Sequence, residues 1–232
     1  MNKHYNQNFN SICIMDLRLR MGSNMLVIGP TGSGKSFFIV RLIENGEQVF
    51  NIKPANVYWC YGHRTALHEQ LTARNFNMID GLPQNFDFIQ PNSIIVLDDL
   101  MFDAANSELV TQLFIRGAHH IPCFVIFTQH NLFHRSGESR NRQLNTQYMV
   151  LFKNPRDAAQ LNFLSNQMFP NSKHYLTSIF QRATFNQHAY LFLDLHQKTP
   201  EIVRVRARIL PHERPMHAYV NKQLYSDIAL KR

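Results

Sequence analysis

The chain has 232 residues, three cysteines and a formal net charge of +8 at pH 7. This length suits one domain with small extensions and excludes two complete motor lobes in one chain, which need roughly twice as many residues. The positive charge favours an anionic partner, nucleic acid first, although a basic surface also serves solubility.

The cysteines and the hydropathy predict where the protein works. Cys13, Cys60 and Cys123 show neither C-x-x-C spacing nor an even count, which predicts a reducing compartment. The twelve histidines lack the tight spacing of a metal site. No apolar run has the length of a membrane span, and the first residues lack a signal-peptide core. We therefore expect a soluble protein inside a cell.

Residues 1–22 are polar and rich in asparagine, and they are predicted to form an N-terminal arm. The next segment predicts a strand, a phosphate-binding loop and a helix, because the apolar run Met25–Ile28 leads into the pattern G-x-x-x-x-G-K-[ST]. The loop residues are Gly29, Pro30, Thr31, Gly32, Ser33, Gly34, Lys35 and Ser36. Lys35 has the reach to contact β- and γ-phosphate oxygens, and the Ser36 hydroxyl is the expected Mg²⁺ ligand. The alternative is a glycine-rich linker.

The following helix is predicted to end at Asn45-Gly46. A short aromatic strand is then predicted at Val57–Tyr61 and a helix at Ala66–Arg74. Ser93–Leu100 reads as a central parallel strand that ends in two acids. Asp98 is predicted to hold Mg²⁺, largely through water, and Asp99 to orient or deprotonate the attacking water. The alternative is a strand that ends in an acidic turn.

A helix is predicted over Asn106–Ala118 and a strand over Cys123–Phe127, followed by Thr128-Gln129. Gln129 is the candidate sensor of the γ-phosphate, because it lies at the tip of the strand next to the acidic one. The alternative for Gln129 is a capping side chain without a catalytic role. Residues 132–147 are polar and basic, so they are predicted to form a mobile loop that contacts DNA or a neighbouring subunit.

The remaining chain is predicted to hold a strand at Tyr148–Phe152, two helices that reach Arg182, and a hairpin of Ala189–Asp194 with Val203–Leu210. Arg204, Arg206 and Arg208 alternate with apolar residues in the last strand, so one face of this strand is predicted to be basic. That face is either solvated or turned towards DNA. Residues 211–232 are predicted to form a basic tail, which leaves 23–210 as the domain.

With these segments in view, the chain resembles the viral genome-packaging ATPases of the FtsK–HerA superfamily. The likeness is greatest to those of Polinton-like and adintovirus-like elements and related double-jelly-roll DNA viruses. Besides the phosphate loop and the double aspartate, four segments carry it, namely LDDLM (97–101), FIRGAHH (114–120), FTQHNLFH (127–134) and VLFKNPRD with QMFP (150–170). The chain departs from the ATPases that it resembles at Asn131, where His130 precedes the usual Asn-Leu-Phe as if one residue had been added.

The resemblance implies a three-layer α/β P-loop NTPase of the RecA/FtsK type, with a mostly parallel central sheet and a C-terminal β-hairpin extension. It implies ATP and Mg²⁺ as cofactors, Lys35 and Ser36 for phosphate and metal, and Asp98, Asp99 and Gln129 in the roles given above. An arginine before the sensor strand serves related ring ATPases as a finger in the neighbour's site. Arg116 occupies that position, and Arg140 is the second candidate.

The function implied is ATP-driven translocation of double-stranded DNA into a capsid by a homo-oligomeric ring of five or six subunits. A capsid or vertex protein is a further expected partner, and the expected location is the virus assembly site in the host nucleus or cytoplasm, or the virion. One alternative is a DNA-processing motor in replication or segregation. A nucleotide kinase or GTPase switch fits less well, because the chain has no N-K-x-D signature and its adjacent carboxylates suit water activation.

Overall fold

A computed structural model describes residues 15–101, 107–120, 122–132, 137–156 and 158–221. For 116–120 and 137–139 it describes the backbone alone. The predicted arm therefore lies mostly outside the described residues, as does the end of the predicted tail. Leu19, which forms an isolated bridge to Phe50, lies just outside the predicted domain limits of 23 and 210, as does the last strand, His217–Ala218. Those limits stay a prediction.

Within the described residues, nine strands form one sheet in the order β3-β2-β4-β5-β1-β6-β7-β8-β9. The strands from β3 to β6 in this order are parallel, and β7, β8 and β9 continue the sheet in antiparallel pairs. The strands are β1 (Asn24–Ile28), β2 (Asn56–Tyr61), β3 (Asn77–Asp80), β4 (Ser93–Asp98), β5 (Phe124–Gln129), β6 (Tyr148–Phe152), β7 (Tyr190–Asp194), β8 (Val205–Ala207) and β9 (His217–Ala218).

Helices cover both faces of the sheet, which gives the predicted three layers. The helices are α1 (Lys35–Glu44), α2 (Gly46–Val49), α3 (Ala66–Thr72), α4 (Glu108–His120), α5 (Gly137–Leu144), α6 (Ala158–Met168) and α7 (Tyr175–Ala183). Side chains of α1, α2 and α3 join one buried cluster, and those of α4, α6 and α7 join the other. No helix in the described part of the chain is both long and apolar enough to cross a lipid bilayer.

The central strands form because their residues are apolar on both faces. Every residue of β1, β4 and β5 is buried. In β1, Leu26 and Ile28 enter the cluster on one face while Met25 and Val27 enter the other. Each fully buried side chain of this size contributes about 1.5–3 kcal/mol, so this core holds the strand ends in fixed positions. The predicted α/β fold with a mostly parallel sheet is confirmed.

The predicted mobile loop at 132–147 is wrong in its second half, where α5 begins at Gly137. Arg142 anchors this helix, because its side chain is only 1% exposed and its Nη1 donates to Thr111 Oγ1 over 2.9 Å. Its guanidinium also lies over the Phe127 ring, 5.5 Å from the ring centroid. The polar sequence therefore forms a packed helix, and Arg142 is not available to DNA.

The predicted basic face on the last hairpin is wrong for Arg206, whereas Arg208 is exposed as predicted. Strand β8 is shorter than expected, and its three residues are all buried, including Arg206 at 1% exposure. Arg206 Nη2 donates to Asp194 Oδ2 over 2.6 Å, and Nη1 donates to the Leu17 carbonyl over 3.0 Å. Burial lowers the pKa of Arg206, while the charge of Asp194 acts in the opposite direction. This arginine holds the hairpin together instead of facing solvent or DNA.

Candidate nucleotide-binding site

The candidate site lies at the edge of the sheet where the parallel strands end. Strand β5 pairs with β1 on one side and with β4 on the other, so the loops that follow these three strands meet. They form one wall of a cleft of about 340 Å³, and β2 and α3 supply the opposite wall. Lys35, Ser36, Asp98 and Asp99, which the sequence analysis chose separately, all line this cleft.

The phosphate-loop backbone is turned inward by its glycines. Gly29 continues from β1, and its N–H donates to the Gln129 carbonyl over 3.0 Å. A Cβ at Gly29 would lie 2.7 Å from Phe152 Cβ, so no larger residue fits there. Gly34 has φ 105°, in the left-handed region that favours glycine, and α1 begins at the next residue. Thr31, Gly32 and Gly34 of the loop and the N-terminus of α1 therefore line the same cleft, an arrangement that suits phosphate.

Lys35 lies inside this loop. Its Nζ donates to the carbonyls of Gly29 and Pro30, over 2.7 and 3.1 Å. Burial lowers the pKa of Lys35, and the nearby charges of Asp98 and Asp99 act in the opposite direction. The ammonium group is thus held where a phosphate oxygen that enters the loop would meet it.

Asp98 is the centre of a hydroxyl network. It is 7% exposed, and Ser36 Oγ donates to its Oδ2 over 2.9 Å. Thr128 Oγ1 donates to Asp98 Oδ1 over 3.0 Å and accepts from the Asp99 backbone N–H over 3.0 Å. Hydroxyl and carboxylate oxygens are the ligands that Mg²⁺ prefers, so Ser36 and Asp98 fit the predicted metal.

Asp99 has a different environment from Asp98. Its backbone has φ 54°, an uncommon value for a residue other than glycine, and its side chain is 49% exposed. The Asp99 Oδ1 atom lies 3.2 Å from His130 Nε2, which donates the hydrogen because an ionised carboxylate only accepts. The predicted catalytic carboxylate therefore faces the open cleft and has one imidazole partner.

Gln129 contributes its backbone to the site. Thr128 faces Asp98, so the next side chain along β5 points to the opposite face of the sheet. Gln129 is 2% exposed, and its Oε1 has no hydrogen-bond partner among the described residues. The role of Gln129 as phosphate sensor stays a prediction.

The two candidate arginine fingers also stay predictions. Arg116 lies in α4, but its side chain lies outside the described residues. Arg140 is exposed on α5 and does not line the cleft of its own chain. A finger acts on a neighbouring subunit, so neither observation tests the assignment.

Thr128, His130 and His68 are site residues that the sequence analysis did not choose. His68 in α3 stacks on Tyr61 with ring centroids 4.4 Å apart, and burial lowers its pKa. The Thr-Gln segment at the end of a predicted strand was the available signal for Thr128. No motif marks His68, because its place in the cleft depends on how β2 pairs with β4.

Comparisons with known proteins show the fold. No protein family model and no curated protein matches the chain. One similar solved structure is B204, the DNA-packaging ATPase of Sulfolobus turreted icosahedral virus, with TM-score 0.50 and 10% identity over 82% of this chain and 98% of that one. Another is the genome-packaging NTPase B204 of Sulfolobus turreted icosahedral virus 2 in complex with ATP-gammaS, with TM-score 0.48 and 11% identity over 80% and 96%.

A KaiC-like protein from Pyrococcus horikoshii is similar at TM-score 0.42 and 10% identity, over 86% of this chain and 91% of that one. Identities this low bear on the fold alone. Together with the sheet order and the loop at Gly29–Ser36, the likeness to B204 defines the chain as an α/β protein with the P-loop NTPase fold.

Proposed function

We propose that the chain is an ATPase that drives double-stranded DNA into a viral capsid as one subunit of a homo-oligomeric ring. The observation that carries the proposal is the contact of Ser36 with Asp98, 2.9 Å long, at the sheet edge where Lys35 and Asp99 also line the cleft. This arrangement combines a phosphate loop, a metal-binding pair and a half-exposed carboxylate for water.

Each residue of the proposed site has a role in ATP hydrolysis. The backbone N–H groups of Gly32, Gly34, Lys35 and Ser36 bind the β-phosphate, and the Lys35 side chain contacts the β- and γ-phosphates. Ser36 and Asp98 would hold Mg²⁺, which would neutralise the charge that builds on the phosphate oxygens. Asp99 orients the attacking water, and its half-exposed position leaves it accessible to that water.

The DNA-packaging part of the proposal has separate support. The net charge of +8 favours an anionic partner, and the motifs at 97–101, 114–120, 127–134 and 150–170 resemble those of packaging ATPases. B204, which has a similar fold, is a DNA-packaging ATPase. We place the activity at the virus assembly site, with a capsid or vertex protein as partner.

ATP hydrolysis stimulated by DNA is the direct test. We expect duplex DNA to raise the hydrolysis rate of the purified chain, and added salt to weaken this stimulation steeply because DNA binding releases counterions. Asp99→Asn is the control, since it should bind ATP and remain inactive. Hydrolysis indifferent to DNA would favour a switch or kinase, and unwinding of forked DNA without binding to capsid protein would favour a DNA-processing motor.

A mixing experiment tests the shared active site. Arg116→Ala should bind ATP but hydrolyse it poorly, because each site lacks its neighbour's arginine. Mixing this variant with Asp99→Asn should restore part of the activity, since some interfaces then combine an intact carboxylate with an intact arginine. Arg140→Ala in the same design tests the second candidate. Normal hydrolysis by Arg116→Ala, without rescue on mixing, would remove Arg116 from the proposal.

A further inference from the structure

A second cleft opens on the other side of α1 from the phosphate site. It has a volume of about 660 Å³, and its walls come from α1, from the chain between α7 and β7, and from the segment 207–219. We call it the basic cleft. Gly34 and Phe37 line both this cleft and the phosphate cleft, so the two clefts adjoin at the start of α1.

The basic cleft suits an anionic ligand. Four arginines line it, and the three that belong to no salt bridge among the described residues are Arg182, Arg208 and Arg214. Its one lining carboxylate, Glu213, accepts a hydrogen bond from Tyr190 Oη over 2.5 Å. The positive charge in the cleft is therefore largely uncompensated by the protein.

The strand order indicates which part of a nucleotide would reach this cleft. Ser36 and Asp98 place the metal and the terminal phosphates on the side of β1 where β5 and β4 lie. Strand β1 is flanked on its other side by β6 and then β7. The nucleoside end of a nucleotide bound along the loop therefore extends towards β6 and β7, because the terminal phosphates lie on the side of β5 and β4.

The side chains at the junction of the two clefts are of the kind that binds a nucleobase. The Phe37 ring is 59% exposed, and Arg41 lies 5.1 Å from its centroid. Asn186 and Gln187 are exposed amides that can both donate and accept hydrogen bonds. The neighbouring His188 Nδ1 donates to the Ser33 carbonyl over 3.1 Å, which fixes this segment to the phosphate loop.

We propose that the basic cleft binds the nucleoside of the nucleotide whose phosphates occupy the loop, with the base stacked on Phe37 and its polar edge facing Asn186 and Gln187. The arginines of the cleft attract the α-phosphate, which is the phosphate next to the nucleoside. The inference rests on the proposed nucleotide binding at Gly29–Ser36. It adds the place of the base, which neither the sequence motifs nor the phosphate cleft assigns.

Affinities for ATP and for inorganic tripolyphosphate, each with Mg²⁺, separate the two parts of the ligand. We expect Phe37→Ala to weaken ATP binding by roughly 5- to 100-fold, because stacking of a base on an aromatic ring is lost, and to leave tripolyphosphate binding unchanged. Phe37→Tyr should retain ATP affinity because it keeps the ring. Phe163→Ala is the matched control, since Phe163 is 54% exposed on α6 and lines neither cleft.

Different failures have different meanings. If the unaltered chain binds neither ligand, the proposed nucleotide site itself is wrong. If it binds both and Phe37→Ala changes neither affinity, or weakens both equally, the nucleoside does not stack on Phe37 and the inference is overturned. Arg208→Ala supplies the remaining comparison, because weaker duplex DNA binding with unchanged ATP affinity would make the cleft a nucleic-acid surface instead.

Discussion

Two buried aspartates that end strands at opposite edges of the sheet have different surroundings. Asp98 ends β4 and is 7% exposed, and Asp194 ends β7 and is 5% exposed. Asp98 receives hydrogen bonds from the hydroxyls of Ser36 and Thr128, which carry no charge. Asp194 receives one from Thr199 Oγ1 over 2.8 Å and forms an ion pair with the Arg206 guanidinium.

The difference lies in what neutralises each carboxylate. The charge of Asp194 is satisfied by its own chain, so the pair contributes to the structure of the hairpin. The Asp98 carboxylate is oriented by hydroxyls and forms no salt bridge with any residue that the structure describes, which leaves its charge for a metal ion at the edge of the cleft. Burial alone therefore does not separate a functional acid from a structural one, but the identity of its partners does.

The largest expected effect comes from breaking the structural pair. Arg206→Ala leaves Asp194 buried without its cation, so we expect the free energy of unfolding to fall by about 3–5 kcal/mol. Denaturant unfolding measures this change. The double variant Arg206→Met with Asp194→Leu should recover most of the loss, because it removes both charges and keeps apolar volume. A single variant as stable as the unaltered chain would show that Asp194 is not held by this pair.

Removing the charge of the other aspartate, Asp98, should change activity instead of stability. Asp98→Asn keeps the size of the side chain but removes the metal-binding charge, so we expect ATP hydrolysis to fall by about 10²- to 10³-fold. Unfolding by denaturant should be little affected. A large loss of stability with proportionate loss of activity would instead make Asp98 a structural acid like Asp194.

Sequence reasoning predicted the centre of the sheet and much of the proposed site. Strands β1, β4 and β5 read clearly because a strand buried on both faces is a continuous apolar run. Strand β3 was missed because it lies at the edge of the sheet with no fully buried residue. The phosphate loop and the two aspartates could be predicted because their chemistry requires specific residues in consecutive positions.

The other features of the fold and the site depend on contacts between distant residues, which the spacing of residues in the sequence does not indicate. His130 meets Asp99 because β5 lies between β1 and β4, and the sequence does not state that order. Arg142 and Arg206 were expected at the surface, but each lies against a partner from another element, 31 and 12 residues away. A polar or alternating pattern predicts exposure only when no such partner is present.

The contact of His130 with Asp99 is a third environment, in which a half-exposed carboxylate has an imidazole partner. Because His130 donates to the proposed catalytic carboxylate, its removal should free an oxygen of Asp99 to accept from water. We expect His130→Ala to raise DNA-independent ATP hydrolysis by about two- to tenfold, the range of one modest hydrogen bond, without changing KM for ATP. His130→Asn, which keeps a donor, is the matched control. Lower turnover in His130→Ala would mean that the imidazole supports the active position of Asp99.

The smallest effect is expected from an ion pair that resembles Asp194–Arg206 in chemistry but lies at the surface. Glu44 pairs with Arg74 and with Arg41, and the Glu44 and Arg74 side chains are 31% and 49% exposed. Because water solvates both charges in the folded and unfolded chain, Glu44→Gln should lower the free energy of unfolding by only about 0.2–1 kcal/mol. Denaturant unfolding at low and at high salt measures it, and salt should reduce the difference because it screens exposed charges. If Glu44→Gln lowered the free energy of unfolding as much as Arg206→Ala does, and salt did not change this loss, an exposed ion pair would stabilise the protein as strongly as the buried pair of Asp194 and Arg206.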